Sequence, residues 1–486
     1  MIWDKKIKLQ LAFTLGGFAV LYTLISFLNH YLFRTYALDL GLYTQALDVY
    51  MSGNMPTTSM FQEDYKVLLA DHFDFYLPLF SPLKFIFGTY TLLVVQIVAI
   101  LLGGLGVFKY VAQFVDRKFA LPALVCFLAF FGVFSAVSYD YHSNVVAAMV
   151  LPWLFISFRK EKIKTSLLLL LFMLLGKENM GIWLFFVMIG LAIIYFKEKR
   201  KRNWALIFAG LSVVYFLVVL EFILPSITPS GAYHGFHYSA LGKSFGEALT
   251  TLVTRPFYSF QLLYKDVGYF PTPGAKIEFY VFLCLSGGIL LLRKPAYIIM
   301  MLPFIGQKMF HDNHTLWGVH FQYSIEFAPI LVIGVMEVIK TLPRPKYHRI
   351  VVVIIVLTTL GTSIRLMDNT HQFSDKSKLR FYKSYHYTRD FDVDEVYEAM
   401  ALIPDDAAVS AQNSFVPHLS LRERVYQFPL VLDADYILLH FEENVYPFSE
   451  KEQLEKHVSE FQAYHQWEVL IEENGLYLLR RPSKTD

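Results

Sequence analysis

The stretch "LQLAFTLGGFAVLYTLISFLNHYL", residues 9–32, is an apolar run, and "FRTYALDLGLYTQALD", residues 33–48, follows it directly. A transmembrane helix needs about 20 consecutive apolar residues, so the run is long enough to cross a bilayer. The run is too long for a signal peptide and lacks a small-residue cleavage site, which predicts an uncleaved first span. The carboxylate of Asp39 then follows the end of this span, in a segment patterned like a helix.

The composition of the whole chain indicates a membrane protein. Its 486 residues are 55% hydrophobic and 17% charged, with a mean hydropathy of +0.42, whereas a soluble domain has about 25% charged residues. The net charge of +2 gives no reason to expect a nucleic-acid partner.

Apolar runs recur along the first three quarters of the chain and predict about eleven spans. These runs cover residues 9–32, 88–109, 119–137, 144–158, 165–176, 182–196, 204–224, 277–292, 295–310, 324–339 and 350–365. Lys and Arg are concentrated in alternate loops, such as "FRKEKIK" and "KTLPRPKYHR". Basic loops stay in the cytoplasm, so we expect the amino terminus inside and the carboxyl terminus outside the cytoplasmic membrane.

The tail, residues 366–486, differs from the rest of the chain because it is charged and alternates helical with β-rich runs. "WEVLIEENGLYLLRR" predicts a β-hairpin around its Asn-Gly pair. No glycine-rich phosphate loop precedes a helix there. The expected fold is thus an all-α polytopic membrane domain, 1–365, followed by a small extracytoplasmic α/β domain, 366–486.

The unusual polar residues fall on the predicted outer side, in five separate segments. Ionisable groups near membrane depth are costly and usually face a partner or a watery cavity, so we expect one shared pocket. The segments are "ALDLG" (Asp39), "LLADHFDFY" (Asp71, His72), "SYDYHSN" (Asp140, His142), "GKENMG" (Lys177, Glu178) and "KMFHDNHTLWGVHFQY" (His320, Tyr323).

Each segment also has a purely structural interpretation. Asp39 could cap a loop helix, and Asp71 with His72 could form a local hydrogen-bonded pair. Turn chemistry alone explains Asp and Asn in "SYDYHSN", and Lys177 with Glu178 could be an ion pair. His311 and His314 are a weak metal signal without further ligands, so the site residues include no metal ligand and a divalent metal is left open.

Six segments in this order resemble a family of bacterial multi-pass membrane proteins of unknown function, DUF2079, grouped by fold similarity with the GT-C glycosyltransferases. They are "ALDLGLYTQAL", "LADHFDFYLPLFSPLKFIFG", "YDYHSN", "GKENMG", "HFQYSIEFAPI" and "IPDDAAVSAQNSFVPHLSLRERVYQFP". In the family pattern Asp39 and "ADHF" are kept. Asn144 stands where the pattern has a carboxylate, so a role resting on that acid requires another residue, such as Asp140.

The resemblance implies a GT-C-like fold and a sugar transferase that uses a polyprenyl-phosphate-linked donor, with its catalytic acid in the first outer loop. Asp39 is then the expected base, with Asp71 or His72 in support. Lys177, with His142 or His320, would face the phosphate, and Glu178 would orient Lys177 or bind sugar hydroxyls. The remaining expected substrate-binding residues are Asp140 and Tyr323, and the acceptor is a glycan, lipid or protein.

Two other functions remain open from the sequence. A transporter or flippase of a lipid-linked or small polar solute also carries polar residues at helix breaks. A non-catalytic membrane assembly protein could display the α/β tail.

Overall fold

A computed structural model describes residues 4–53, 57–60, 66–71, 73–228, 236–266, 272–465 and 467–482. The chain forms two compact units. The helical unit comprises Met1–Ile25, Gln96–Ser226 and Ser230–Arg380, and the sheet unit comprises Ser26–Val95, Ile227–Pro229 and Phe381–Asp486. The domain boundary expected between residues 365 and 366 stays a prediction.

The helical unit consists of apolar helices, two of which, Lys5–Tyr31 and Thr91–Phe114, continue into residues of the sheet unit. Its other α-helices are Ala120–Leu128, Phe131–Val137, Ser143–Arg159, Ile163–Leu174, Met180–Ile194, Lys199–Val218, Phe245–Thr254, Pro256–Leu262, Ala275–Leu285, Pro295–Phe310, Phe327–Lys340 and His348–Asp368. A π-helical turn, Val219–Ile223, extends one of them towards the short helix Leu224–Ile227.

Within the described residues, four helical stretches are long and apolar enough to cross a membrane, or five if a bent pair is counted as one span. The four are Lys5–Tyr31, Leu77–Phe114, Lys199–Ile227 and Pro345–Asp368. Shorter apolar helices accompany them, so the fold is that of a multi-pass membrane protein. The expected number of eleven spans stays a prediction.

The predicted span 119–137 is broken in the structure, where Ala120–Leu128 and Phe131–Val137 meet at 46°. The break frees backbone carbonyls, which cannot stay unpaired inside a membrane protein. The Tyr22 hydroxyl donates to the carbonyl of Leu128, and the Ser363 hydroxyl donates to that of Ala129. Side chains from two distant helices therefore stabilise the bend.

The sheet unit contains seven strands: β1 (Thr57–Thr58), β2 (Lys66–Val67), β3 (Val409–Ala411), β4 (Val425–Gln427), β5 (Tyr436–His440), β6 (Glu468–Glu473) and β7 (Leu476–Arg480). β1 and β2 pair antiparallel, and the other five form a mixed sheet in the order β4-β3-β5-β7-β6. β3 runs parallel to β4 and β5, whereas β7 runs antiparallel to β5 and β6.

The sheet unit also contains short helices, which alternate with its strands along the sequence. They are Leu42–Met51, Leu68–Asp71, Leu77–Phe80, Lys84–Phe87, Val393–Ala401, Val416–Leu419 and Lys451–His465. The predicted hairpin joins β6 to β7, and Asn474 and Gly475 both have positive φ, as a two-residue type I′ turn requires. Ile437, Leu439 and Leu479 are fully buried between the sheet and the helix Lys451–His465, whose Leu454 belongs to the same core.

Candidate functional site

Asp39 lies in a single π-helical turn, Ala37–Gly41, in the sheet unit. The Ala37 amide donates to both the backbone and the side-chain oxygen of Asn413, each at 3.0 Å. A Cβ on Gly41 would lie 3.2 Å from Val416 Cγ1, so the turn packs tightly on the tail. Asp39 itself is half-buried. Because π-turns occur frequently at functional sites, this geometry suits a presented carboxylate.

Two neighbouring acids, between the first apolar helix and Thr91–Phe114, have structural partners. Asp48 forms an ion pair with Lys84, and one Asp74 oxygen accepts the Tyr76 amide at 2.7 Å. Asp71 ends the short helix Leu68–Asp71, whereas His72 lies outside the described residues. The supporting role expected of Asp71 and His72 therefore stays a prediction.

The "SYDYHSN" segment is a buried, braced turn in the helical unit. The His142 amide donates to Gln96 Oε1 at 3.1 Å, and its ring hydrogen-bonds the Asp140 carbonyl at 3.1 Å. The same ring stacks on Tyr139 with 5.6 Å between centroids. His142 and Asp140 are both buried, and these contacts fix where the next helix, Ser143–Arg159, begins.

A cluster of polar side chains, which we call the buried polar cluster, occupies the interior of the helical unit. Asn144 donates its amide to Glu326 Oε1 at 2.6 Å, and Asn179 donates to Gln307 Oε1 at 3.0 Å. These residues surround a small enclosed cavity of about 20 Å³, the size of a single water molecule. The cluster comprises Asn144, Lys177, Asn179, Gln307, Lys308, Gln322, Tyr323 and Glu326.

Three helices begin at this cluster. Asn144 is the second residue of Ser143–Arg159, Asn179 is the N-cap of Met180–Ile194, and Glu326 is the N-cap of Phe327–Lys340. Helix amino termini carry partial positive charge and attract anions. Glu326 is 2% exposed and feels the charges of Lys177 and Lys308. The cluster thus brings two lysines and one carboxylate together at three helix starts.

The cluster also has spare hydrogen-bond acceptors. Among the described residues that line this cavity, four buried oxygens have no hydrogen-bond partner: Asn144 Oδ1, Asn179 Oδ1, Gln322 Oε1 and Glu326 Oε2. Buried acceptors of this kind are costly unless water or a ligand donates to them. The cavity is therefore a place for a donor such as water or a hydroxyl group.

His320 belongs to an adjoining group of polar residues in the helical unit. Its Nε2 lies 2.7 Å from Thr370 Oγ1 and accepts from Lys376 Nζ at 3.0 Å. Burial, together with the positive charges of Lys376 and Lys308, lowers the pKa of His320 to about 3. The ring is neutral near pH 7 and can only hydrogen-bond a phosphate there, whereas Lys376, buried with a pKa lowered to about 8, retains a cation.

Glu178 faces a different part of the helical unit from its neighbour Lys177. It acts electrostatically on Tyr215 and Tyr238, and the pKa of Tyr238 is raised by burial and by the charges of Glu178 and Asp312. Tyr238 also packs edge-on against His311. Glu178 thus lies near the loop that contains Tyr238, and both roles expected of it stay predictions.

A metal centre finds no support among the described residues, since no three His, Cys, Asp or Glu side chains gather to hold an ion. His311 Nδ1 accepts the Asn313 amide at 2.9 Å, and the His311 carbonyl accepts from the Trp317 indole at 2.9 Å. The His-rich loop is therefore held by its own hydrogen bonds.

Sequence reasoning placed Lys177 and Tyr323 in the pocket but missed Glu326 and Lys376. Glu326 was detectable as an acid within the predicted span 324–339, because acids at membrane depth are rare and usually functional. Glu326 accepts a hydrogen bond from Asn144, which stands where the family pattern has a carboxylate. A carboxylate therefore lies next to that position. The substrate-binding role expected of Asp140 stays a prediction.

The helical bundle with its carboxyl-terminal sheet places the chain in the GT-C-like fold class. The apo structure of ArnT from Cupriavidus metallidurans has a TM-score of 0.50 and 11% identity, and the match covers 96% of this chain and 98% of that one. The structure of ArnT from the same organism bound to undecaprenyl phosphate has a TM-score of 0.49 and 12% identity, and the match covers 96% of this chain and 98% of that one. A third structure is that of the oligosaccharyltransferase AglB from Archaeoglobus fulgidus in complex with an inhibitory peptide and a dolichol-phosphate. Its TM-score is 0.39 and its identity 11%, and the match covers 99% of this chain and 75% of that one.

The chain belongs to the family described as "Predicted membrane protein (DUF2079)", whose model matches residues 29–478. No curated protein matches it. The family resemblance drawn from the six sequence segments is thereby confirmed, and so is the GT-C-like fold class.

Proposed function

We propose that this protein transfers a sugar from a polyprenyl-phosphate-linked donor to an acceptor at the outer face of the cytoplasmic membrane. The observation that carries the proposal is the buried polar cluster, in which Lys308 and Glu326 are buried and Lys177 is half-buried inside an apolar helical unit, since such groups are costly and usually functional. The ArnT structure of the same fold class supports it, because ArnT is found with undecaprenyl phosphate.

The proposed roles follow the chemistry of each side chain. A base must take the proton of the acceptor hydroxyl while the sugar–phosphate bond breaks, and cations must stabilise the departing phosphate. Asp39, in the sheet unit, is the proposed base, and in the helical unit Lys177 and Lys308 are the proposed phosphate-binding residues. Glu326 holds Lys177 and Lys308 in place electrostatically and, through Asn144, anchors the start of a helix.

The orientation of the protein follows from the basic loops. The amino terminus lies in the cytoplasm and the tail lies outside, so the Asp39 segment is on the outer side. A polyprenyl chain can stay in the bilayer there while its phosphate and sugar reach the interface. A donor of this kind needs no nucleotide, in agreement with the tail's lack of a phosphate loop.

Transport of a lipid-linked or small polar solute is the second candidate, since the buried polar cluster at three helix starts resembles a solute site in the membrane. The two functions differ in their products: transfer forms a new glycosidic bond, whereas transport leaves the solute intact.

The experiment compares lipid-linked sugars and glycans in cells with and without the protein, by mass spectrometry of lipid extracts. Transfer predicts that one polyprenyl-phosphate sugar accumulates and that a glycan, lipid or protein loses one sugar. A solute that changes sides of the membrane with no change in any glycan supports transport, and unchanged pools of both contradict the proposal.

A further inference from the structure

The sheet unit has an open groove that none of the expected site residues occupies. Its volume is about 600 Å³, within the range of small-molecule sites. We call it the tyrosine groove, and the residues that matter here are Tyr31, Tyr90, Asp394, Tyr397, His418 and Arg422. They come from the end of the helix Lys5–Tyr31, the short turn Gly88–Tyr90 and two segments of the tail.

The aromatic wall of the groove is fixed by hydrogen bonds. Tyr31 and Tyr397 stack with 5.4 Å between centroids and 19° between ring planes. The Tyr31 hydroxyl donates to Asp394 Oδ1 at 3.0 Å, and the Tyr397 hydroxyl donates to the Tyr31 carbonyl at 3.1 Å. Tyr31 is nevertheless 41% exposed. The groove thus presents a rigid aromatic surface that pays little entropy on binding.

The floor of the groove is polar but uncharged. His30 and His418 stack at 4.0 Å with ring planes 7° apart, and His30 bonds Thr35 and Thr89 through its two nitrogens. Burial lowers the pKa of His418 to about 3. His418 is therefore neutral near pH 7.

The rim of the groove carries one carboxylate and one guanidinium. Asp394 is exposed, whereas Arg422 donates to the backbone carbonyls of Pro404 and Ile403 and forms an ion pair with Asp405 at 3.9 Å. The positive charge of Arg422 is thus already compensated, so the groove has no uncompensated cation that would select a phosphate. It combines an aromatic face, a carboxylate, a guanidinium and a neutral imidazole.

We propose that the tyrosine groove binds an uncharged saccharide. One face of a pyranose ring carries C–H groups, which pack against an aromatic ring, whereas its edge carries hydroxyls that donate to a carboxylate and accept from a guanidinium. Tyr31 provides the face, and Asp394 and Arg422 provide the edge partners. Tyrosines that only mark the membrane interface need neither a shared stack nor a carboxylate partner.

This proposal is independent of sugar transfer, because binding is measured without a donor. The purified full-length protein in detergent is titrated with maltotetraose, chitotetraose and mannotetraose by saturation-transfer-difference NMR. We expect one of the three to bind, with at least fivefold weaker affinity in Tyr31→Ala and Asp394→Ala. Tyr31→Phe retains the ring and should lose less than Tyr31→Ala.

The matched control is Tyr382→Ala, which removes an exposed tyrosine of the same unit outside the groove. Its affinity should equal that of the unaltered protein. The proposal is overturned if none of the three oligosaccharides binds the unaltered protein at millimolar concentration, or if Tyr31→Ala and Tyr382→Ala bind equally well.

Discussion

Replacing His320 by Gln should make the protein less sensitive to mild acid. His320 is 7% exposed, and its pKa is lowered from 6.5 to about 3, first by burial and then by the charges of Lys376 and Lys308. Between these two pH values the unfolded chain binds a proton that the folded protein does not. Stability therefore falls as the pH drops below 6.5.

The size of the effect follows from the two pKa values. Each pH unit in that interval costs about 1.4 kcal/mol for one group. Between pH 7 and pH 5 the loss is about 2 kcal/mol, and it hardly changes if the folded pKa is 4 instead of 3, because both lie well below pH 5. In the unfolding midpoint this corresponds to a few degrees.

The assay is thermal unfolding in detergent, followed by intrinsic fluorescence between pH 7.5 and pH 5. His320→Gln retains a hydrogen-bonding side chain without a titrating group, and His237→Gln, an exposed histidine of the same unit, is the matched control. We expect a shallower fall in midpoint for His320→Gln than for His237→Gln. Parallel curves for the two variants would refute the reasoning that His320 is buried and neutral.

Gly190→Ala should destabilise the helical unit by about 1–3 kcal/mol, because the new Cβ would lie 2.8 Å from the Ala296 carbonyl of the facing helix. A Cβ on Gly210 would have no atom within 4 Å, so Gly210→Ala should instead stabilise its helix by up to about 1 kcal/mol. Equal thermal unfolding midpoints for Gly190→Ala and Gly210→Ala would contradict this packing. Glu326→Ala should lower the free energy of unfolding by about 1–3 kcal/mol, because the Asn144 amide loses its buried acceptor. Thermal unfolding measures this loss as well. Glu326→Gln retains an acceptor and should fold normally but lose at least tenfold in sugar transfer; full activity would remove Glu326 from the site.

Hydropathy predicts where apolar helices lie but not where they break. The span expected at 119–137 bends between Leu128 and Phe131, just before Gly132, where hydroxyls of Tyr22 and Ser363 from other helices donate to the freed carbonyls. In the tail, local signals were sufficient: the Asn-Gly pair specifies the turn between β6 and β7 through its own backbone preferences.

The polar segments of the site were visible in sequence, but their pairing was not. Lys177 and Tyr323 line one cavity, whereas the shared pocket expected for all five segments stays a prediction. His320, by contrast, is neutral because of its burial and of Lys376, which comes from a segment more than fifty residues further along the chain. The protonation state of a buried histidine depends on charges that tertiary folding brings close to it, and these cannot be identified from its own sequence segment.

The central claim is that Asp39 acts as the base in sugar transfer. The most direct measurement is transfer from a polyprenyl-phosphate-linked sugar in membranes that contain Asp39→Asn or, as the matched control, Asp48→Asn, whose carboxylate is paired with Lys84. The account predicts that Asp39→Asn loses at least a hundredfold in rate while Asp48→Asn stays within a fewfold of the unaltered protein. Equal transfer by both variants would contradict it.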